Sequence, residues 1–181
     1  MKLHLFYIIA IVFNIIGLFS ESYAQNLDPR KGFVIGGNLG LGGTHFDEEF
    51  NQFAGFGGIL IGAGLTEKIL VMGESFGGYS QDPDFDLRYF GLHGSTQIFI
   101  DDHLYLRPAI GFAYAEAKIN IFGTSLVAES NWGFSSLLSG GYEFRMGKNF
   151  ALSPEGMLHY ARIEGSNVIN YGVRASAVWY L

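Results

Sequence analysis

The side chains that could do chemistry in this chain are few, and most sit at alternating positions of apolar segments. His93-Gly94-Ser95 places an imidazole and a hydroxyl at i and i+2, on one face if the segment is extended. A hydroxyl nucleophile needs a base within hydrogen-bond reach and an acid to orient that base. Two such positions are ~7 Å apart at their backbones, so only side-chain length could bring them together, and packing is the favoured role. A larger set consists of Glu74, Arg107, Glu143, Arg145, Glu155 and Arg174, which parity places on one face with His93, Gln97 and His159. These carboxylates and guanidiniums balance in number, and the planar Arg fork suits a carboxylate. His159, two pleats from Glu155, is read as a hydrogen-bonded interior histidine rather than a base. Asp82-Pro83-Asp84-Phe85-Asp86 carries carboxylates at alternate positions, and oxygen ligands of this kind attract calcium. An EF-hand would need Gly and an acid where Leu87 and His93 stand, so a solvated acidic loop is expected. Asp47, Glu48 and Glu49 form a similar cluster. With no cysteine, disulfide staples and a lipid-modified cysteine are excluded; no catalytic group, metal or cofactor is expected.

The segments that must hold these groups alternate with a period of two. Leu104, Leu106, Ile110, Phe112 and Tyr114 share one face; Tyr105, Arg107, Ala109, Gly111, Ala113 and Ala115 share the other. One face is bulky and apolar, the other small and occasionally charged, which is the pattern of a strand between lipid and a barrel lumen. Eight such segments are read, over 32–43, 53–65, 69–79, 87–100, 104–116, 131–145, 150–161 and 168–181. Three joints are short and polar (66–68, 101–103 and 147–149). The other four are longer (44–52, 80–86, 117–130 and 162–167), and the two kinds alternate. Outer-membrane barrels have short periplasmic turns and longer outer loops. The expected fold is therefore all-β, an eight-stranded antiparallel up-and-down transmembrane β-barrel over 32–181 with both ends in the periplasm. The 117–130 segment is expected to prolong its two flanking strands as a hairpin.

Three further features support this register. Gly36, Gly73, Pro108 and Pro154 recur at one height of the ascending strands, where bulges or missing ladder bonds are expected. Trp132, Phe134, Tyr114 and Tyr160 fall near outer strand ends, and Phe144, Phe150 and Trp179 near inner ones, giving two aromatic girdles. A soluble ligand-carrying barrel would turn Gly36, Asn38 and Gly40 to water, a surface too poor in charge for a secreted protein.

Met1-Lys2, the apolar run Leu5–Phe19 and the small residues of Ser22-Tyr23-Ala24 make 1–24 a cleavable signal peptide. Residues 25–31 are a periplasmic lead-in. Removing 1–24 deletes Lys2 and Glu21, so the net charge of −6 is unchanged. Scattered basic residues in an acidic chain give no footprint for nucleic acid.

In this pattern the chain resembles the small outer-membrane β-barrel family, of which the OmpA transmembrane domain, OmpX and porin-like barrels are examples. The terminal strand Tyr171-Gly172-Val173-Arg174-Ala175-Ser176-Ala177-Val178-Trp179-Tyr180-Leu181 is similar to the family's assembly signal. Tyr171, Val173, Trp179 and Leu181 stand at its alternate positions, with Leu181 where the family ends in an aromatic. The resemblance implies residence in the outer membrane of a Gram-negative cell. It also implies contact with outer-membrane lipid and lipopolysaccharide, and partners in the barrel-assembly machinery and periplasmic chaperones. It further implies a structural or surface-interaction role, or, in a few members, lipid modification. His93-Gly94-Ser95 is similar to the lipid A deacylase type of barrel, the runner-up reading; a narrow gated channel is the third. Phe46, Phe50, Phe85, Ile121 and Phe122 are candidate contacts for an extracellular protein or ligand. The lumen is expected to be closed by Glu/Arg pairs, with Arg107–Glu143 as the first pair to test. No peptidoglycan-binding module is expected beyond the barrel.

Overall fold

A computed structural model describes residues 30–46, 50–81, 85–121 and 124–181. The proposed signal peptide lies outside them. Ten strand segments run in chain order: β1 (Gly32–Phe46), β2 (Phe50–Gly64), β3 (Ile69–Gln81), β4 (Phe85–Phe99), β5 (Leu104–Ile121), β6 (Thr124–Glu129), β7 (Gly133–Tyr142), β8 (Phe144–Arg145), β9 (Phe150–Ile163) and β10 (Ser166–Tyr180). β6, β7 and β8 follow one another along a single stave, so the wall has eight staves, each antiparallel to its neighbours. β1 pairs β10 from Val34↔Tyr180 to Phe46↔Val168, which closes the cylinder. Closure leaves no open edge in the membrane-spanning wall, the condition for a sheet in hydrocarbon; β6, beyond that wall, pairs β5 alone.

The wall is bulky outside, as lipid requires. Ile110, Phe112, Leu39, Phe53 and Val173 are all more than half exposed, whereas Tyr105, Arg107 and Ala113 on the alternate parity are at most 1 % exposed. Aromatic clusters mark both rims. Trp132 lies 4.9 Å from Tyr114 and 6.4 Å from Phe90 at one end; Phe150 meets Trp179 at 4.8 Å and Tyr142 meets Phe144 at 4.9 Å at the other.

The expected long outer loops are instead strand. Only 47–49, 82–84, 122–123 and the pair Glu164-Gly165 separate the staves at that rim. Glu164 and Gly165 both have positive φ, 51° and 92°, the conformation of a tight hairpin turn whose twist matches its strands. β5 and β6 pair from Glu116↔Glu129 to Ile121↔Thr124, so the 117–130 segment does extend the wall as a hairpin. Its register differs by one from that of β5 with β7, where Ala113↔Gly133. Ser130, Asn131 and Trp132 therefore oppose only Tyr114 and Ala115, a bulge. Ser130 N–H donates to Ala115 O, and Ala115 N–H returns to Ser130 Oγ, both at 2.9 Å.

The prolines behave as expected of residues lacking an N–H. The β4–β5 ladder is interrupted between Ser95↔Ala109 and Ile98↔Leu106, at Pro108. The β9 ladder is interrupted between Gly141↔Glu155 and Phe144↔Leu152, at Pro154. Register is the same on both sides, so bonds are lost without a bulge. Gly36 sits in continuous ladders and causes no break; Gly73 is paired on both sides, although the β2–β3 ladder is interrupted two positions beyond it, between Gly57↔Gly77 and Leu60↔Glu74.

The interior differs from the small-residue lining expected from β5. In β2, β3 and β4 large residues stand on both faces: Phe56, Leu60, Leu70, Phe76, Leu87 and Phe99 point inward and are at most 4 % exposed, while Ile59, Ile61, Val71 and Leu92 face outward beside Gly55, Gly57, Gly73, Gly77 and Gly94. The lumen consequently holds two apolar clusters, one around Phe56, Phe76, Tyr89 and Leu137 and one around Val34, Leu60, Leu70, Phe99 and Tyr105.

Candidate functional site: the closed lumen

The central polar layer is built by cross-strand and cross-lumen reach. Arg174 and Glu155 are directly opposite on β10 and β9, and Arg174 Nε donates to Glu155 Oε2 at 2.6 Å. Arg174 Nη1 crosses to Glu74 of β3, donating to Oε1 at 2.8 Å. Arg107 of β5 completes the ring, bonding Glu155 through Nη2 and approaching Glu74 Oε2 at 3.7 Å through Nε. Tyr105 Oη donates to Glu155 Oε1 at 2.6 Å. Ser139 Oγ accepts from both arginines, at 3.3 and 3.1 Å, and Gln97 Oε1 accepts Arg107 Nη1 at 3.2 Å. Two guanidiniums face two carboxylates, and none of the four side chains is exposed. An isolated buried ion costs several kcal/mol, which only excellent geometry and extra hydrogen bonds offset; here Glu155 is held by both guanidiniums and by Tyr105, while Glu74 Oε2 lies buried without a hydrogen bond.

The expected Arg107–Glu143 pair does not form. Arg107 lies opposite Ser139, and Glu143 is four residues further along the stave, ~13 Å away at strand rise. Glu143 instead serves a second layer at the inner mouth. Arg30 donates to its Oε1 from Nε and Nη2 at 3.2 and 3.1 Å, Arg145 Nε donates to the same oxygen at 3.2 Å, and Tyr180 Oη donates to Oε2. The Arg30 guanidinium lies 3.6 Å over the Phe99 ring and donates to the carbonyls of Glu67, at 3.2 Å, and Asp102. Arg30 was assigned to the lead-in; extending β1 parity back by two residues would have found it. Arg145, expected inside, is a rim residue with its side chain 29 % exposed, because β8 ends at that position.

A third network lies above the ring. Thr44 Oγ1 donates to Asn170 Oδ1 at 2.7 Å, and Asn170 Nδ2 donates to His159 Nδ1 at 2.8 Å. With Nδ1 accepting, His159 Nε2–H donates to Ser135 Oγ at 2.7 Å, and Ser135 passes its own hydrogen to His93 Nε2 at 2.8 Å. His93 thus engages Ser135 and not Ser95, whose Oγ donates to Met72 O at 3.3 Å. The His93–Ser95 dyad is not formed, and among the described residues no carboxylate joins this network.

The candidate outer contacts also change character. Phe46 is an inward residue of β1, half-buried and packed on the upper apolar cluster, rather than a loop tip. Phe50, Phe85 and Ile121 are strand residues. Phe122, Asp47, Glu48, Glu49, Asp82, Pro83 and Asp84 lie outside the described residues. Among the described residues no group of three or more His, Asp or Glu side chains could hold a metal ion. Tyr171, Val173, Trp179 and Leu181 all face outward, each between 45 and 69 % exposed.

No protein-family profile and no curated protein matches the sequence. Solved structures do match. Ail, the attachment invasion locus protein of Yersinia pestis, aligns over 81 % of this chain and 97 % of its own at 15 % identity and a TM-score of 0.56. Neisserial surface protein A aligns over 82 % and 97 % at 10 % identity and a TM-score of 0.54. The chain has the fold of these small outer-membrane barrels, and its apolar outer belt is that of a barrel set in a membrane.

Proposed function

We propose that this protein is a non-conducting outer-membrane barrel that works at its outer rim, as a structural or surface-interaction protein. The observation that carries this reading is the closed ring of Arg107, Glu155, Arg174 and Glu74, flanked by apolar clusters and backed by the Arg30–Glu143 layer. Such a lumen leaves the rim hairpins to meet the outside, and binding function concentrates in such connections. That the similar Ail is by name an attachment protein agrees with this role. The outward row of Tyr171, Val173, Trp179 and Leu181 would address the barrel-assembly machinery after chaperoned transit. The acidic tips would share divalent cations with lipopolysaccharide phosphates. A lipid-modifying enzyme is not favoured, because His93 turns from Ser95 to Ser135.

Two measurements test the reading. Purified protein in planar bilayers should give no stable large channels; sustained openings would refute the closed lumen. A pull-down with wild type and with the β5–β6 hairpin shortened by removing 119–126 should lose one partner in the variant. Identical partners in both would leave the rim without an interaction role.

A further inference from the structure

The polar chain above the ring runs in one direction. Thr44, Asn170, His159 and Ser135 each donate to the next, and the last hydrogen ends on His93 Nε2. His93 is therefore neutral, with its own hydrogen on Nδ1. Nothing inside the chain fixes that direction. A hydroxyl and an imidazole each donate and accept, and an amide turned by ~180° exchanges its oxygen and nitrogen. The four links, at 2.7–2.8 Å, would serve equally well reversed.

Both ends of the chain border buried polar atoms that make no hydrogen bond. At the inner end, His93 of β4 and Glu74 of β3 are direct cross-strand partners. The imidazole interacts with the Glu74 carboxylate and backbone, yet His93 Nδ1 and Glu74 Oε2 are both buried and unbonded. One is a donor and the other an acceptor. At the outer end, the Tyr89 hydroxyl neighbours Thr44 and is likewise buried and unbonded. Thr44 itself lies two residues from the end of β1. Unsatisfied buried polar atoms are costly, so an arrangement that fills these positions is favoured.

The charges around the two imidazoles are unequal. Toward His93, β3 presents Glu74, β10 presents Arg174 and β9 presents His159. β5 opposes it with Gly111 and β7 with Ser135, neither of which titrates. β4 itself carries Tyr89 and Gln97 on the same inward face. His159 faces Arg174 and His93 and, among the described residues, no carboxylate. An added proton finds its anion beside His93.

We propose that proton binding at His93 reverses this chain end to end, so that Arg174 and His93 share Glu74 and the Thr44 hydrogen passes to Tyr89. The protons balance. Ser135 gives its hydrogen to His93 Nε2 and takes the Nε2 hydrogen of His159. The added proton goes to His159 Nδ1, which then donates to the turned Asn170 amide oxygen. Asn170 Nδ2 donates to Thr44 Oγ1, and the freed Thr44 hydrogen points to Tyr89 Oη. His93 ends doubly protonated, with Nε2 on Ser135 and Nδ1 on Glu74 Oε2. His159 ends neutral, in the opposite tautomer. The switch links the ring to the outer end of β1 without displacing a strand.

The test uses the full mature barrel with nitrogen-15 in its histidine rings, folded in phospholipid nanodiscs. It is titrated from about pH 8 to about pH 4, a range that brackets the ordinary imidazole value. Long-range proton–nitrogen spectra read the tautomer of each ring. Wild type should begin with His159 carrying its hydrogen on Nε2 and His93 on Nδ1. Acidification should convert His93 to imidazolium and His159 to the neutral Nδ1–H tautomer, with one shared midpoint. Separate midpoints, a charged His159, an unchanged His159 tautomer, or no transition in the range would each overturn the proposal. Ser135→Ala keeps every charge and should uncouple the rings: His93 still protonates, and His159 holds one tautomer throughout. A His159 tautomer that still follows His93 in this variant also overturns it. Glu74→Gln removes the anion beside His93 and should leave both rings in their alkaline forms down to about pH 4. Protonation of His93 in Glu74→Gln at the wild-type midpoint is a third contrary result. Dispersed amide spectra at pH 8 check that each variant is folded, and the wild-type titration decides alone if one is not.

Discussion

Arg174 on β10 reaches across the lumen to Glu74 on β3, donating Nη1 to Oε1 at 2.8 Å while its Nε holds Glu155 at 2.6 Å. One guanidinium thus ties together three staves that no backbone ladder joins in common. Breaking a buried pair by removing one partner leaves an uncompensated charge, a loss of ~3–5 kcal/mol. Glu74→Leu alone, or Arg174→Met alone, should each lower folding stability by ~3 kcal/mol or more in urea titrations of the barrel in vesicles. The double variant should be less destabilised than the two losses added, with a coupling of at least ~1 kcal/mol. Strict additivity would show that the pair does not act as a unit.

Arg30 seals a different level. It sits under Phe99 and holds Glu143 and two turn carbonyls, but the ring above it is complete without it. Arg30→Ala should therefore leave bilayer conductance at baseline while lowering stability by ~3 kcal/mol, since Glu143 loses its most buried partner. Channels opening in Arg30→Ala would mean the upper ring does not close the lumen.

The strand count, the closure and the outward face were readable because every stave repeats one alternation and the turns at one rim are short and polar. Parity alone put Glu74, Arg107, Glu155 and Arg174 in one interior. It could not decide partners, because Arg107 and Glu155 meet across an unadjacent stave and their contact depends on shear, which a linear pattern does not carry. The same limit produced the Arg107–Glu143 expectation. The size contrast of β5 does not carry over to the β2–β4 sector, where Phe56 and Phe76 fill the centre although Ile59 and Leu92 also stand outside. Strand propensity falls where polar and acidic residues begin, which makes Phe46 and Phe50 look like loop residues, yet Phe46↔Phe50 still pair.

The bulge at Ser130 supplies a local test of the hairpin. Ala115 N–H donates to Ser130 Oγ at the point where three residues oppose two. Ser130→Ala removes that bond and should lower stability by ~1 kcal/mol, the usual net worth of one hydrogen bond. Trp132 emission should shift in the same variant, because the bulge aims the indole at Tyr114. An unchanged spectrum and midpoint would mean the hairpin holds its register without that hydroxyl.

At the inner rim, Asp101 accepts backbone hydrogen bonds from His103 and Leu104 at 2.8 and 2.7 Å. These two bonds, foremost that from Leu104, hold its carboxyl below the ordinary carboxylate value in the folded barrel. A folded-state value lower than the unfolded one means that the ionised form favours folding. The contribution is therefore complete above the unfolded value of ~3.9 and disappears as pH falls through the lower folded value. Asp101→Asn should flatten the acid limb of stability against pH below about 5, relative to wild type, and leave the neutral and alkaline limbs parallel. An acid limb of undiminished slope in Asp101→Asn would place the acid sensitivity of the barrel elsewhere than in this turn.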